Sequence, residues 1–265
     1  MTTIAATQFQ VDDLTVQIHP TVEDLASTAA QAAADILQSA IDENGKASVI
    51  FATANSQVAF LDALISGQGT RWNIDWSKVT MFHMDEYLGL PHTHPASFRH
   101  YMMKNVEPRL KPRAFHYLEG DALEPLDAMQ TYAELLAEHA PDLCCLGIGE
   151  NGHLAFNDPP VADFNDPHPI KIVKLDEPCR MQQVGEGHFP HLDAVPPYAL
   201  TLTIPALCAA KHMLAIVPEK RKAQAVLDTL TGPISTACPG SYLRTQPHCI
   251  LFLDEESASL LPTAM

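Results

Sequence analysis

Positive charge is scarce in this chain: 16 Lys+Arg stand against 32 Asp+Glu among 265 residues, a formal charge of −16 at pH 7 with histidines neutral. The field of such a surface repels nucleic acid and anionic membranes, which excludes both as partners. Long apolar runs are missing too; no stretch of about 18 or more apolar residues occurs, so no membrane span is predicted. Met1–Asp13 has neither the basic start nor the apolar centre of a secretory leader. The six cysteines, at 144, 145, 179, 208, 238 and 249, form no CxxC pair and no dense scaffold spacing. Reduced, mostly buried thiols are expected, and with the other absences they predict a cytoplasmic protein.

What is present suits a packed α/β chain. Hydrophobic residues make up 46% and charged residues 18%, too apolar a balance for an acidic disordered chain. Strand-like and helix-like stretches alternate, the pattern of a mostly parallel sheet flanked by helices. Thr21, with Asp24 three residues on, predicts a helix start, and Gly45 its end. Apolar runs at 47–53, 79–84 and 142–148 read as buried strands, with shorter ones at 14–19, 114–118, 199–204, 212–217 and 249–253. Helices are predicted at 57–66, 95–105, 125–139 and 219–230, with a short one after residue 253. Residues 159–197 break the rhythm with prolines and histidines, and little periodicity beyond Ile170–Leu175; such segments serve as lids or binding loops. With no repeat or linker, residues 1–265 read as one domain.

Ligands of open parallel sheets bind beyond the carboxyl ends of the strands. Four such ends carry polar chemistry here. Thr53-Ala54-Asn55-Ser56-Gln57 would present backbone N–H groups at a helix start, either as an anion site or as a plain capped turn. Asp85 and Glu86, after Val79–Met84, suit a general base and an exposed acidic turn about equally. His92 and His94 offer an HxH pair without a third ligand at convincing spacing, so no metal site is predicted. In Gly147–His153, three glycines in six positions imply tight turns or close approach to a ligand. His153 could work as an acid or base, oriented by Asn151 or Asp158, or sit as a structural histidine. The segment is not the GxGxxG dinucleotide fingerprint. Lys220, Arg221 and Lys222 concentrate positive charge at another helix start, where the macrodipole disfavours it. A phosphate between this cluster and Ala54–Ser56 would answer the chain's charge problem.

MDEYLGL at 84–90 with HPASF at 94–98, and LGIGENGHLAFNDP at 146–159, resemble two motifs of the glucosamine-6-phosphate deaminase (isomerase) family, MDEYxGL…HPxS(Y/F) and LGIGxxGHIxFNEP. That family is related to the 6-phosphogluconolactonases. The resemblance is collinear over about residues 45–254. It implies a Rossmann-like α/β fold and conversion of glucosamine 6-phosphate and water to fructose 6-phosphate and ammonia, with no metal or organic cofactor. By it, Asp85 is the base, with Glu86 beside it in the motif. His153 assists ring opening, oriented by Asn151 and Asp158. Ala54, Asn55, Ser56, Gly152, Arg180 and Lys222 bind the sugar phosphate. Several positions depart from the pattern. TANSQ at 53–57 stands where the family commonly reads TGSTP or TGGTP, Asn151 and Asp158 replace the usual Asp and Glu, and the lid arginine has Arg180 nearest but Gln183 in its aligned place. A lactonase or non-deaminating isomerase on the same scaffold is the alternative enzyme, although LAFN at 154–157 leans toward the deaminase form. A non-catalytic sugar-phosphate sensor is the alternative of another class. Association into a homo-oligomer is left open.

Overall fold

Which strands sit in the middle of the sheet follows from which can be buried on both faces. Residues 6–262 are described by a computed structural model. In chain order, β1 (Thr7–Val11) and β2 (Leu14–His19) form an antiparallel hairpin, followed by α1 (Val22–Asn44). Next come β3 (Ala47–Phe51), α2 (Asn55–Gly67), β4 (Val79–His83) and β5 (Asp85–Tyr87). α3 (Phe98–Tyr101) runs through a π turn at Met102–Val106 into α4 (Glu107–Leu110), before β6 (Ala114–His116), α5 (Pro125–Glu138) and β7 (Leu143–Leu146). β8 (Ile170–Lys174), α6 (Glu177–Gly185), β9 (Tyr198–Leu202), α7 (Ile204–Cys208), β10 (His212–Val217), α8 (Ala223–Thr231) and β11 (Cys249–Asp254) complete the chain.

Eight strands form the main sheet in the order β1-β2-β11-β10-β7-β3-β4-β6, every pair parallel except β1–β2. Alternate residues of the central strands feed two cores. Val49, Met81 and Cys145 pack with Leu25, Leu37 and Phe60 on one face, while Ile50, Phe82 and Cys144 pack with Tyr132, Leu136 and Val226 on the other. That double burial explains their near-continuous apolar character. α1 can lie close on its face because its inner side is mostly alanine: Ala26, Ala29, Ala30, Ala33 and Ala34. Its ends are built as expected. Thr21 Oγ1 accepts from Asp24 N at 3.1 Å, and Gly45, at φ 73°, donates its N–H to Ile41 O.

From β3 the chain moves outward through β4 to β6, then returns to lay β7 on the other side of β3 and continue to β10 and β11. The β3/β7 boundary is thus a topological switch point, where successive connections diverge and open a crevice at the carboxyl ends.

Several expectations need correcting. β1 was not foreseen. The 199–204 run is not a strand of the parallel sheet; β9 belongs to a separate antiparallel sheet, β5-β9-β8, whose three members come from well-separated parts of the chain. The predicted helix at 95–105 starts at Phe98, because Ser97 caps it by accepting from His100 N at 3.1 Å. Residues 159–197 are not irregular throughout, since they contain β8 and α6; Asp176 caps α6 by accepting from Cys179 N at 2.8 Å. After β11 the chain makes turns rather than a helix, with Asp254 Oδ1 taken by Ser257 N. Residues 1–5, part of the stretch read for a leader, and 263–265 lie outside the described residues. No helix among the described residues is long and apolar enough to cross a membrane.

Candidate active site

A cleft of about 490 Å³, the solvent at its mouth included, opens at the switch point. The turns after β3, β4, β7 and β10 all reach it, and α6 closes one side.

Asp85 follows β4 after one residue, as the first residue of β5. Its carboxyl is buried against the cleft with no ion-pair partner among the described residues. Burial, and then the neighbouring charge of Glu86, push its pKa well above the usual carboxylate range. Glu86 lies on the opposite side of the strand and does not line the cleft. Its Oε2 accepts from Ser97 Oγ at 2.6 Å and Arg99 N at 2.9 Å, and its Oε1 from Tyr87 N at 2.8 Å. The expectation of a catalytic role for Glu86 is therefore corrected: it anchors the start of α3, and pleating carries adjacent side chains to opposite faces.

His153 comes from the glycine turn after β7. An ideal Cβ at Gly149 would lie 2.2 Å from its Cε1 and Nε2, so the ring can hold this position only while residue 149 has no side chain. His153 Nδ1 is 2.9 Å from Asp158 Oδ1. That is ion-pair range, but off the ring's N–H direction, and neither Nδ1 nor Asp158 Oδ2 finds a hydrogen-bond partner among the described residues. Asn151 braces the pair: its Oδ1 accepts from His153 N at 3.1 Å, and its Nδ2 donates to Asp158 Oδ1 at 3.1 Å. Burial alone would raise Asp158, but the proximity of His153 and the Asn151 amide outweigh it and hold the carboxylate below its ordinary range. Gly152 does not line the cleft. It sits at φ 83°, the left-handed region, against Cys238, so its role is to turn the backbone rather than bind ligand.

β9 joins these two groups. Thr201 pairs with Asp85 across the small sheet, and its Oγ1 accepts from Phe156 N at 3.1 Å. Asn157 Nδ2 donates to Leu202 O at 2.8 Å and Leu154 O at 2.9 Å. One strand therefore sets both the base-bearing strand and the histidine turn.

The far end of the cleft is formed by Thr53, Ala54, Ser56, Gln57, Gln182, Gln183 and Lys222. Asn55 faces away: it is exposed, with Nδ2 directed at Glu186 O. Ala54 is the extended residue before α2, which leaves that helix's first N–H groups near the cleft. Gln57 donates to Ile216 O at 3.0 Å, tying the turn to β10, while its Oε1 and Thr53 Oγ1 are buried without partners among the described residues. Lys222 is 3% exposed, and burial lowers its pKa against the opposing pull of Glu186. The expected three-cation cluster is reduced to this one residue. Arg221 is held by Glu219 at 2.7 Å and Glu186 at 2.9 Å, and Lys220 does not reach the cleft.

Arg180 is corrected as well. It points from α6 into the protein, with Nη2 donating to Leu192 O at 2.7 Å and Val195 O at 3.1 Å. The next turn of α6 supplies Gln182 and Gln183 to the cleft instead. Gln183 Oε1 accepts from Tyr87 Oη at 2.8 Å, which leaves its NH₂ as donor. Gln57 and Gln182 were not foreseen; the Asp176-Glu177-Pro178 helix-start signal would have placed α6, and with it Gln182.

Such an arrangement, with a carboxyl, a carboxylate-backed imidazole and a buried ammonium sharing one switch-point cleft of an α/β fold, has the groups that acid–base chemistry on a small anionic ligand requires. The comparisons then narrow the class. The family of glucosamine-6-phosphate isomerases and 6-phosphogluconolactonases matches residues 20–251, and the chain belongs to it. A glucosamine-6-phosphate deaminase of Lactobacillus delbrueckii subsp. bulgaricus is 32% identical over 237 residues, 89% of this chain and 96% of the relative. One of Exiguobacterium sibiricum is 34% identical over 188 residues, 71% of this chain and 73% of the relative. The solved structure of a monomeric glucosamine-6-phosphate deaminase superposes with a TM-score of 0.81 at 30% identity, covering 92% of this chain and 99% of that one. The 6-phosphogluconolactonase of Thermotoga maritima shares the fold at a TM-score of 0.72 and 17% identity, over 91% of this chain and 99% of that one.

Proposed function

We propose that the protein converts glucosamine 6-phosphate and water to fructose 6-phosphate and ammonia. The observation that carries this reading is that Asp85, His153 and Lys222 line one cleft, the first two braced by the same strand. An amino-sugar phosphate needs a base for a carbon-bound proton, an acid–base group for its ring and a cation for its phosphate. The relatives named as deaminases support the choice of sugar.

The phosphate sits against Lys222, Ser56 and the N–H groups at the start of α2, with α6 of segment 159–197 acting as a lid that brings Gln182 and Gln183 over it. His153 moves the proton of the anomeric hydroxyl to the ring oxygen, and the ring opens. Asp85, ionised, takes the proton from C2; the electron pair forms the C1–C2 double bond as the C1=O π pair moves onto O1, which takes a proton from water, and an enolamine results. The same carboxyl returns the proton to C1, leaving an iminium at C2. Water adds there, the C–N bond breaks, and ammonia leaves with the ketone formed. The raised pKa makes Asp85 a stronger base once ionised than an exposed aspartate.

The test is ammonia release from glucosamine, galactosamine and N-acetylglucosamine 6-phosphates. Release is expected from the first, with kcat lower by about 10²–10⁴-fold in Asp85→Asn and in His153→Gln. No ammonia from any of them, together with hydrolysis of a 6-phosphosugar lactone, would overturn the reading in favour of a lactonase.

A further inference from the structure

Behind the cleft, where α6 meets the glycine turn, three side chains of unlike chemistry converge. His153, Asp158 and Cys179 each place a ligand-type atom within 4.8 Å of the other two, and all three are buried. Asp158 is 0% exposed, yet its Oδ2 has no hydrogen-bond partner among the described residues, and neither has His153 Nδ1. Asp176 lies beside them, its Oδ2 bound to the same Asn151 amide at 3.3 Å. Neither Asp158 nor Asp176 pairs with a lysine or arginine among the described residues.

We infer that His153, Asp158 and Cys179 form a site for a thiophilic divalent cation, Zn²⁺ foremost, and that its occupancy shuts off the chemistry of the cleft. An ion with ligand bonds of about 2.0–2.3 Å needs donor atoms roughly 3–4 Å apart, so small side-chain movements complete a three-ligand set. A thiol, an imidazole and one carboxylate select zinc over magnesium or calcium, which prefer all-oxygen shells. The charge also fits, because a divalent ion would offset two carboxylates that have neutral amide donors and one imidazole beside them but no lysine or arginine among the described residues. His153 borders the cleft, so an ion can enter from there and take solvent as its fourth ligand.

Without metal the Cys179 thiol stays protonated, since burial first and the Asp158 and Asp176 charges next push its pKa far up. Binding exchanges that proton for the ion: the S–H bond breaks, the proton goes to water, and the sulfur keeps its electron pair for the metal. The consequence for activity rests on the acid–base role proposed for His153; the binding itself does not. A metal on the ring withdraws it from proton transfer and ties α6 to the glycine turn.

Co²⁺ and Zn²⁺ titrations of the whole chain separate the two claims. A thiolate-to-cobalt charge-transfer band with one equivalent bound is expected, bleached by Zn²⁺. Ammonia release should fall with Zn²⁺ and return on adding a chelator. Cys179→Ala should lose the band and require at least about tenfold more Zn²⁺ for inhibition, because even outer-sphere partners of a metal are worth about 10–100-fold in affinity. Cys238→Ala should behave as wild type. A cobalt complex of the wild type without a thiolate band, or equal zinc inhibition of the wild type and Cys179→Ala, would overturn the site. The band is read without substrate, so an enzyme inactive on glucosamine 6-phosphate would still decide the question of binding.

Discussion

At the Asp85 end of the cleft one strand, β9, braces both the strand that bears the carboxyl and the turn that bears the histidine, whereas the groups at the Lys222 end come from the turns after β3 and β10 and from α6 and share no such strand. Thr201, Asn157 and Asn151 hold the first region in place through hydrogen bonds of 2.8–3.1 Å. In the second, Thr53 Oγ1 and Gln57 Oε1 are buried without hydrogen-bond partners among the described residues, as His153 Nδ1 and Asp158 Oδ2 are in the first, and Lys222 is buried with Glu186 exerting the largest opposing pull. The difference teaches how the parts divide the work. Reacting groups must keep their geometry through a turnover, which calls for bracing; on the proposed reading the other end is completed by the substrate, whose phosphate would accept from Lys222 and the Thr53 hydroxyl while a sugar hydroxyl donates to Gln57 Oε1.

The comparison is most directly broken at Lys222. Loss of a buried charge-assisted contact costs about 1.5–3 kcal/mol, so Lys222→Ala should raise KM by roughly 10–150-fold while leaving kcat within a few-fold. A kcat that collapses instead would place Lys222 among the reacting groups. A smaller effect is expected where bracing is weakened without touching the cleft. Glu86→Gln removes charge-assisted acceptors from the start of α3 and should lower stability by about 1–3 kcal/mol in denaturant unfolding, with KM unchanged. Equal stability of the two proteins would show that α3 does not need this anchor.

The smallest expected effect concerns stability against pH. Folding raises the pKa of Asp85, so the folded state binds its proton more tightly than the unfolded chain does. The stability this gives is whole below the unfolded pKa, near ~4, and is lost as pH rises through the folded value. Asp85→Asn does not titrate. It should therefore melt above the wild type by a gap that opens above ~pH 4 and widens as pH rises, even as ammonia release is lost. A constant gap would mean that the carboxyl does not titrate in that range.

The two regions also differed in how far they could be read in advance. ASVIF and VTMFH declare central strands because both faces must be apolar, and the Thr21–Gly45 helix declares its ends through its caps. β5 could not be read from its three residues, Asp-Glu-Tyr: its partner lies at 199–201, and no local periodicity encodes a pairing across that distance. For the same reason Asp85 and Glu86 looked equivalent until the pleat sent one to the cleft and the other to α3. Arg180 is nearest in sequence to the expected lid arginine, but the Leu192 and Val195 carbonyls claim its guanidinium, a contact no local pattern announces. Lys220 and Arg221 shared the helix start with Lys222, yet which cation turns inward depends on Glu186, which comes from another part of the chain.

The contact of His153 with Gly149 has a consequence for mutational tolerance. Gly149 does not adopt the left-handed backbone that favours glycine, and the atoms nearest a Cβ there belong to the tip of an imidazole, a side chain that can swing aside, rather than to backbone. Variants at 149 can thus remain soluble and folded while their histidine leaves its post. A screen for expression would score the position as permissive and a screen for turnover would score it as invariant. The spread between those two scores, taken residue by residue, would map the part of the molecule held in place for chemistry alone.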